Sequence, residues 1–210
     1  MAITADSQLT GAAAPGAMVL NRTGRRHVPG KDHARMTELL DATRFLALRA
    51  GLADVYRAVF GRAPWSEPPA AAQAFADRLP DEAGQPGFRA VVARDGGGTL
   101  TGFGYGYLTP SPFPTGRSYD SVRAAVGDRA ADTLSGTFEV LELAVRPDAH
   151  GQGTGRSMLT ALVADRPAWL LTATFAPGAV AFYDRCGWKR LGEADDIVVY
   201  GAPAGSTAGH

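Results

Sequence analysis

The chain has 210 residues, 45% of them hydrophobic, and balances 21 basic against 21 acidic side chains. This is a globular composition, and it lacks the surplus of Lys and Arg with which a general nucleic-acid binder displaces counterions. A single cysteine, Cys186, excludes an intramolecular disulfide. No apolar run approaches the roughly 20 residues that span a bilayer, and the N-terminus lacks a secretory pattern. We therefore expect a soluble cytoplasmic protein that binds neither nucleic acid nor membrane.

The N-terminal region has little sign of regular structure. Gly, Ala and Pro dominate up to Gly16, and a polar stretch with basic clusters follows. Residues 1–40 are predicted to be a flexible leader in which a helix over 34–40 is the only candidate element. One domain is expected over 41–201, and residues 202–210 are expected to be a flexible tail.

The first half of the domain is predicted to contain helices followed by a hairpin. A short strand is predicted over 44–49, and apolar residues at helical spacing predict a helix over 52–60. A second helix is predicted over 70–79, after a run of prolines. Two strands, 88–94 and 99–108, are predicted on either side of a glycine-rich turn.

Strands and helices alternate in the second half, which predicts an α/β or α+β fold with a partly parallel sheet. The predicted order is a helix, a strand, a glycine-rich loop, a helix, a strand, a helix and two closing strands. Their expected ranges are 119–134, 137–145, 153–165, 168–173, 177–185, 189–192 and 197–200.

The glycine-rich loop is the most informative segment. Gly151, Gly153 and Gly155 alternate between an apolar strand and an amphipathic helix. Free backbone N–H groups at the positive end of a helix dipole form an anion site, which phosphate commonly occupies. A Walker loop requires a lysine after its last glycine, and a Rossmann fingerprint requires a glycine where Arg156 stands. Neither spacing fits.

A third pattern does fit. Residues 150–155, HGQGTG, resemble the Gln/Arg-x-x-Gly-x-Gly/Ala pyrophosphate loop of the GNAT superfamily of N-acetyltransferases. Residues 143–147, LAVRP, are similar to the strand end that precedes this loop. Residues 181–188, AFYDRCGW, are similar to the helix-to-strand segment in which the family has a tyrosine followed by Gly and Phe or Trp. The resemblance covers roughly residues 44–200.

The resemblance implies the GNAT fold, a central mixed and mostly antiparallel sheet flanked by helices, with splayed fourth and fifth strands. Pantetheine would lie in the gap and pair with strand backbone. His150 stands where the family has Gln or Arg, and Ala176 where it often has Asn, so Arg156 and Thr174 are expected to compensate. The residues expected to bind acetyl-CoA, the acyl donor, are Leu143, Ala144, Val145, His150, Gly151, Gln152, Gly153, Thr154, Gly155, Arg156 and Thr174.

Acyl transfer to an amine requires a base, an oxyanion donor and a proton for the leaving thiolate. By its place in the motif, Tyr183 is expected to serve the thiolate. Glu139 and Glu142 stand in an otherwise apolar strand and are the candidate bases. In a regular strand their side chains face opposite sides, but the bulge that the family has in this strand would disturb this alternation. Glu139 is slightly favoured because family members place an acid at its position.

The predicted activity is transfer of an acetyl group to a primary amine by direct attack in a ternary complex, in a monomer or homodimer. The acceptor is expected to be a small molecule with apolar character. The alternatives are a protein or peptide amine, or a non-catalytic module that binds acyl-CoA. No metal is expected, because the histidines show no metal-ligand spacing. An aromatic acceptor pocket is a further hypothesis, and its residues would be Tyr56, Phe60, Trp65 and Phe75.

Overall fold

A computed structural model describes residues 36–116, 118–164 and 166–203. Residues 1–35 and 204–210, most of the predicted leader and tail, lie outside the described residues. The strands are β1 (Met36–Leu40), β2 (Arg89–Arg94), β3 (Leu100–Leu108), β4 (Phe138–Val145), β5 (Ala168–Ala173), β6 (Lys189–Ala194) and β7 (Ile197–Gly201). The helices are α1 (Ala42–Leu46), α2 (Arg49–Phe60), α3 (Pro69–Ala83), α4 (Tyr119–Val126), α5 (Asp128–Leu134), α6 (Thr154–Val163) and α7 (Pro177–Arg185), with a 3-10 turn at Pro147–Ala149.

The strands form one seven-stranded sheet in the order β1-β2-β3-β4-β5-β7-β6. Every neighbouring pair is antiparallel except β4 and β5, which are parallel and are joined through α6. The expectation of a mixed, mostly antiparallel sheet flanked by helices is therefore confirmed.

The parallel pair separates soon after it begins. Only Phe138 with Ala168 and Glu139 with Trp169 are in register, although β4 continues to Val145. Beyond Glu139 the two strands diverge, which confirms the splay expected of the fourth and fifth strands. The edge of β4 that faces β5 is consequently open along the rest of the strand.

A bulge in β4 changes which side chains share a face. Opposite β3, Gly106 pairs with Val140 but Tyr105 pairs with Glu142, so Leu141 is the extra residue. Tyr107 pairs with Glu139. Because Tyr105 and Tyr107 are two residues apart, their partners lie on one face, and both glutamates project to the same side of the sheet.

Helices cover both faces of the sheet. The side chains of α6 and α7, among them Met158 and Tyr183, pack on one face. The other face carries α1, α2 and α3 over its first half and α4 and α5 over its second half. Both glutamates of β4 lie on this second face, since Glu139 pairs with Trp169, which packs against α4 and α5. None of the described helices is long and apolar enough to cross a membrane.

Most predicted elements are confirmed within a few residues, and the strand over 168–173 and the helix over 177–185 match β5 and α7. The predictions for the segment that leads into α2 are wrong. Residues predicted as a helix over 34–40 form β1 from Met36 onward, because pairing with β2 outweighs local helix propensity. The strand predicted over 44–49 is instead helical, and the side chain of Asp41 caps α1 by accepting from the Arg44 N–H at 2.8 Å.

The single helix predicted over 119–134 is two helices. Gly127 separates α4 from α5 with a φ of +83°, a left-handed value that glycine adopts without a steric penalty. The α4–α5 pair packs on β5 and β7 through Val122, Ala131 and Leu134.

Candidate active site

A cavity of about 680 Å³ lies where β4 and β5 diverge. Leu143 and Val145 of β4 form one side, and Ala179 and Phe182 of α7, with its N-cap Ala176, form another. The glycine loop closes one end. The connection between α2 and α3 forms the remaining wall, and the residues that it contributes are Arg62, Ala63, Pro64 and Trp65.

The glycine loop has a backbone that side-chain-bearing residues rarely adopt. Gly151 and Gly153 have φ values of +75° and +77°, and Gly153 is the N-cap of α6. At Gly155 a Cβ would approach the Phe182 ring to 3.3 Å. The loop therefore brings the first N–H groups of α6 to the cavity without a side chain in between, as an anion site requires.

His150 and Arg156, both predicted to bind the diphosphate, line the cavity, and both are tethered. His150 Nε2 lies 2.8 Å from the Val145 carbonyl oxygen, which can only accept, so this nitrogen is the donor. Arg156 donates to the Arg185 carbonyl oxygen at the end of α7. His150 thus also secures the end of β4, and Arg156 also joins α6 to α7.

The charge lining the cavity is positive. Arg62, Arg156 and Arg185 contribute guanidinium groups, and none of the described residues that line it is an Asp or Glu. Cys186 also lines it, but burial raises the pKa of its thiol and disfavours the nucleophilic thiolate. A ligand with several negative charges matches this lining.

The open edge of β4 offers backbone groups to a ligand. The Arg146 N–H donates to the Thr101 carbonyl of β3 at 2.8 Å. By the alternation of an antiparallel ladder, the N–H groups of Leu143 and Val145 point away from β3 and toward the gap. They are placed where a pantetheine arm can pair as an added strand.

Glu142 is fully buried on the face covered by α3. Its Oε1 accepts from Arg78 Nη2 at 3.2 Å, and Arg78 Nε lies 3.2 Å from Glu82 Oε1. Burial raises the pKa of Glu142 well above its ordinary value, and Glu82 adds to that shift while Arg78 opposes it. A buried carboxylate with a raised pKa has the character of a general base.

Glu139 is in different surroundings. Its Oε2 accepts from the Tyr119 hydroxyl at 2.9 Å, so α4 covers it. Burial, and then the Glu139 charge, raise the pKa of Tyr119 far above its ordinary value. Glu139 also lies in the part of β4 that still pairs with β5, before the gap opens. Glu142, three residues further along β4, lies beyond this pairing.

Tyr183 is fully buried and packs against Phe182, Trp188 and Tyr200. Burial raises the pKa of its phenol well above the ordinary value, and the charge of Glu142 raises it further. The two residues therefore interact electrostatically across the sheet. A phenol in this environment keeps its proton at neutral pH and is a hydrogen-bond donor, and its raised pKa makes it a weaker acid than an ordinary tyrosine.

Eight of the eleven predicted ligand-binding residues line the cavity, and they are Leu143, Val145, His150, Gly151, Gly153, Thr154, Gly155 and Arg156. The other three, Ala144, Gln152 and Thr174, do not line it, and neither do Tyr183, Glu139 and Glu142. Of the proposed aromatic pocket, only Trp65 borders the cavity, while Tyr56, Phe60 and Phe75 pack in the core beneath α2 and α3.

The sequence interpretation missed the wall that α7 contributes and the ion pair that holds Glu142. The wall near α7 consists of Ala176, Ala179 and Phe182, which are three residues apart and therefore lie on one side of the helix. This spacing could have been recognised in the sequence once the helix was predicted. Arg78 had no such signal, since it stands 64 residues from Glu142.

Comparisons with known proteins agree with this geometry. Residues 86–190, half of the chain, match the acetyltransferase (GNAT) domain family. A GNAT-family acetyltransferase structure from Desulfovibrio desulfuricans is 17% identical, with 81% of this chain and 99% of that chain covered and a TM-score of 0.53. An acetyltransferase structure from Thermus thermophilus is 16% identical, with 80% and 96% covered and a TM-score of 0.56. No protein with a curated description matches the sequence.

The chain therefore belongs to the GNAT acetyltransferase superfamily. It is an N-acyltransferase, an enzyme class that takes its acyl group from acyl-CoA. The two structures support the fold, and the family match supports the class of reaction.

Proposed function

We propose that this enzyme transfers the acetyl group of acetyl-CoA to a primary amine of a small molecule, by direct attack of the amine in a ternary complex. The observation that carries the proposal is the cavity at the divergence of β4 and β5, which joins the glycine loop to the open strand edge. Its glycines, its cations and its lack of carboxylates among the described lining residues fit a diphosphate-bearing cosubstrate.

Each part of the cosubstrate has matching groups in this chain. The N–H groups at the start of α6, with Arg156, hold the diphosphate. The backbone of Leu143 and Val145 pairs with the pantetheine amides. Acetyl-CoA supplies an activated acyl group on a thiol that leaves readily. The carboxylates and phenol of this chain supply the proton transfers.

Glu142, rather than Glu139, is the base in this proposal. It follows the point where the strands separate, and its neighbour Leu143 lines the cavity. Glu142 takes the proton of the attacking amine through a bridging water. The Tyr183 phenol, which is neutral at physiological pH, hydrogen-bonds the departing thiolate and protonates it as the carbon–sulfur bond breaks.

The wall opposite β4 indicates the character of the acceptor. Pro64 and Trp65 give this wall an apolar surface, and Trp65 meets the Phe175 ring at 5.6 Å. Nothing in the described lining offers a carboxylate for the second ammonium of a polyamine. We infer that amines with an apolar or aromatic body are better acceptors than polyamines.

Two measurements test the activity. Acetyl-CoA at 100 times its dissociation constant is expected to stabilise the fold by about 2.7 kcal/mol, seen as a rise in melting temperature. Free CoA release is then measured with aromatic amines, spermidine and a lysine peptide. Release with an aromatic amine above the other two supports the proposal. Stabilisation without release from any amine would show a module that only binds, and no stabilisation at millimolar acetyl-CoA would refute the proposed site.

A further inference from the structure

The described core contains a buried ion network that connects α3 to the proposed base. Arg78 and Glu82 are one helical turn apart on α3, and Arg78 reaches β4 to contact Glu142. The side chains of Arg78, Glu82 and Glu142 are 17%, 10% and 0% exposed. Solvent therefore screens these charges weakly, and each one influences the protonation of the others.

The network is fixed from several sides. The Arg78 guanidinium lies 5.3 Å from the Phe75 ring centre and 6.0 Å from that of Tyr56. Glu82 Oε2 accepts from the Tyr105 hydroxyl at 2.6 Å. These contacts hold Arg78 between the two carboxylates and leave it little rotamer freedom.

The charges around Glu142 do not cancel. Arg78 carries a positive charge, which favours the ionised form of Glu142. Glu82 on α3 and Glu67 on the connection from α2 to α3 carry negative charges, which disfavour that form. Burial is the largest cause of the raised pKa of Glu142, and Arg78 is the largest influence that lowers it. The proton affinity of Glu142 thus depends on the balance between one cation and neighbouring carboxylates.

Two tyrosines complete the titratable surroundings of Glu142. Tyr105 of β3 is directly opposite it, and Tyr183 of α7 interacts with it across the sheet. Burial raises the pKa of both phenols well above the ordinary value, so both are neutral at physiological pH. They are hydrogen-bond donors in this range and do not add charge.

We propose that Arg78 and Glu82 are positioning residues that orient the Glu142 carboxyl group and set the pH at which it accepts a proton. Arg78 holds one carboxylate oxygen and favours the ionised form, while Glu82 anchors Arg78 and opposes ionisation. The inference rests on the proposed function, in which Glu142 is the base. It adds that residues on α3, which do not line the cavity, control the pH range of the enzyme.

The two positioning residues predict shifts of opposite sign. Arg78→Met removes the cation, so the rising limb of the rate against pH is expected at higher pH, with turnover at pH 7 lower by about tenfold. Glu82→Gln removes a negative charge but keeps an acceptor for Tyr105, so the limb is expected at lower pH. Arg49→Met is the matched control, because it breaks an ion pair between α2 and α3 with Asp77, away from Glu142.

A second readout does not require an acceptor. The sequence has six glutamates, so the ¹³C carboxyl signals of a labelled sample are assignable by single substitution, with Glu142→Gln identifying its own. The Glu142 signal is expected to titrate at higher pH in Arg78→Met and at lower pH in Glu82→Gln. If Arg78→Met does not fold, Arg78→Lys, which keeps the charge but loses the second donor, is expected to give a smaller shift in the same direction.

The outcomes separate the two claims. If the pH midpoints of Arg78→Met and Glu82→Gln stay at the wild-type value, or move in the same direction, the network serves stability alone. A wild-type rate profile in Glu142→Gln would also overturn the inference, while acyl transfer would stand. If the wild type releases CoA with no amine, the proposed function fails, and the carboxyl titration still decides whether Arg78 and Glu82 control Glu142.

Discussion

For single residues, burial decides what the candidate catalytic groups can do. Glu139 and Glu142 are three positions apart on one strand and share a face, yet one is bound by a tyrosine and the other by an arginine. Only Glu142 lies beyond the point where β4 and β5 separate. Tyr183 is buried on the opposite face but interacts with Glu142 electrostatically. The proposed acid and the proposed base therefore lie on opposite faces of the sheet.

The first prediction concerns the phenol. Tyr183→Phe is expected to lower turnover by roughly ten- to a thousand-fold, because the departing thiolate loses its proton donor. The rise in melting temperature with acetyl-CoA is expected to stay the same. Tyr200→Phe is the control, since this hydroxyl lies in the same aromatic cluster but donates to Asp184 at 2.9 Å. Full turnover in Tyr183→Phe would show that Tyr183 contributes to packing and not to the reaction.

Among the elements, the loop between β4 and α6 depends on its glycines. Gly153 has open space around the position of a Cβ and a left-handed φ, and it caps α6 at the cavity. The strand edge and the helix end meet at this loop, and in the proposed function the helix end binds the diphosphate while the strand edge pairs with the rest of the cosubstrate. The splay of β4 from β5 keeps both accessible.

A carboxylate placed in this loop tests the anion site. Gly153→Asp is expected to abolish the stabilisation by acetyl-CoA of about 2.7 kcal/mol at 100 times the wild-type dissociation constant, since the added charge repels the diphosphate. Gly127→Asp is the matched control. Gly127 has a similar φ of +83° and open space, but it lies between α4 and α5 and does not line the cavity. Equal loss of stabilisation in both variants would point to backbone strain instead of charge repulsion.

For the molecule as a whole, the buried glutamate affects the pH dependence of stability. The folded-state pKa of Glu142 is raised, whereas an unfolded glutamate titrates near pH 4.3. Below about pH 4.3 the group is protonated in both states. As the pH rises above that value, the unfolded chain releases the proton first, so the contribution of Glu142 to the free energy of unfolding falls until the folded-state pKa is passed.

Glu142→Gln removes this titration. The free energy of unfolding of the variant is expected to decline less steeply with pH than that of the wild type, starting above about pH 4.3 and continuing to the folded-state pKa. Urea unfolding at a series of pH values measures the slope. Glu193→Gln, on the exposed surface of β6, is expected to leave the slope unchanged. Parallel curves for Glu142→Gln and the wild type would contradict a raised pKa in the folded state.

Local pattern in the sequence was enough to predict several parts of this protein. The alternation of glycines before an amphipathic helix predicted a glycine loop that opens α6, because positive φ and a free helix end are properties of a few consecutive residues. The strand over 168–173 and the helix over 177–185 were also predicted from patterns within a few residues, and both match the structure. The motif order gave the family, which the match over residues 86–190 confirms.

Which side chains meet depends instead on the packed fold. The extra residue at Leu141 places Glu139 and Glu142 on one face, and a bulge depends on the register with β3, which no single strand encodes. Pairing with β2 made a strand of residues predicted as a helix, since ladder hydrogen bonds and packing outweigh weak local propensity. Arg78 reaches Glu142 across 64 positions of sequence because α3 packs on the sheet beside β4, and that proximity is a property of packing and not of sequence spacing.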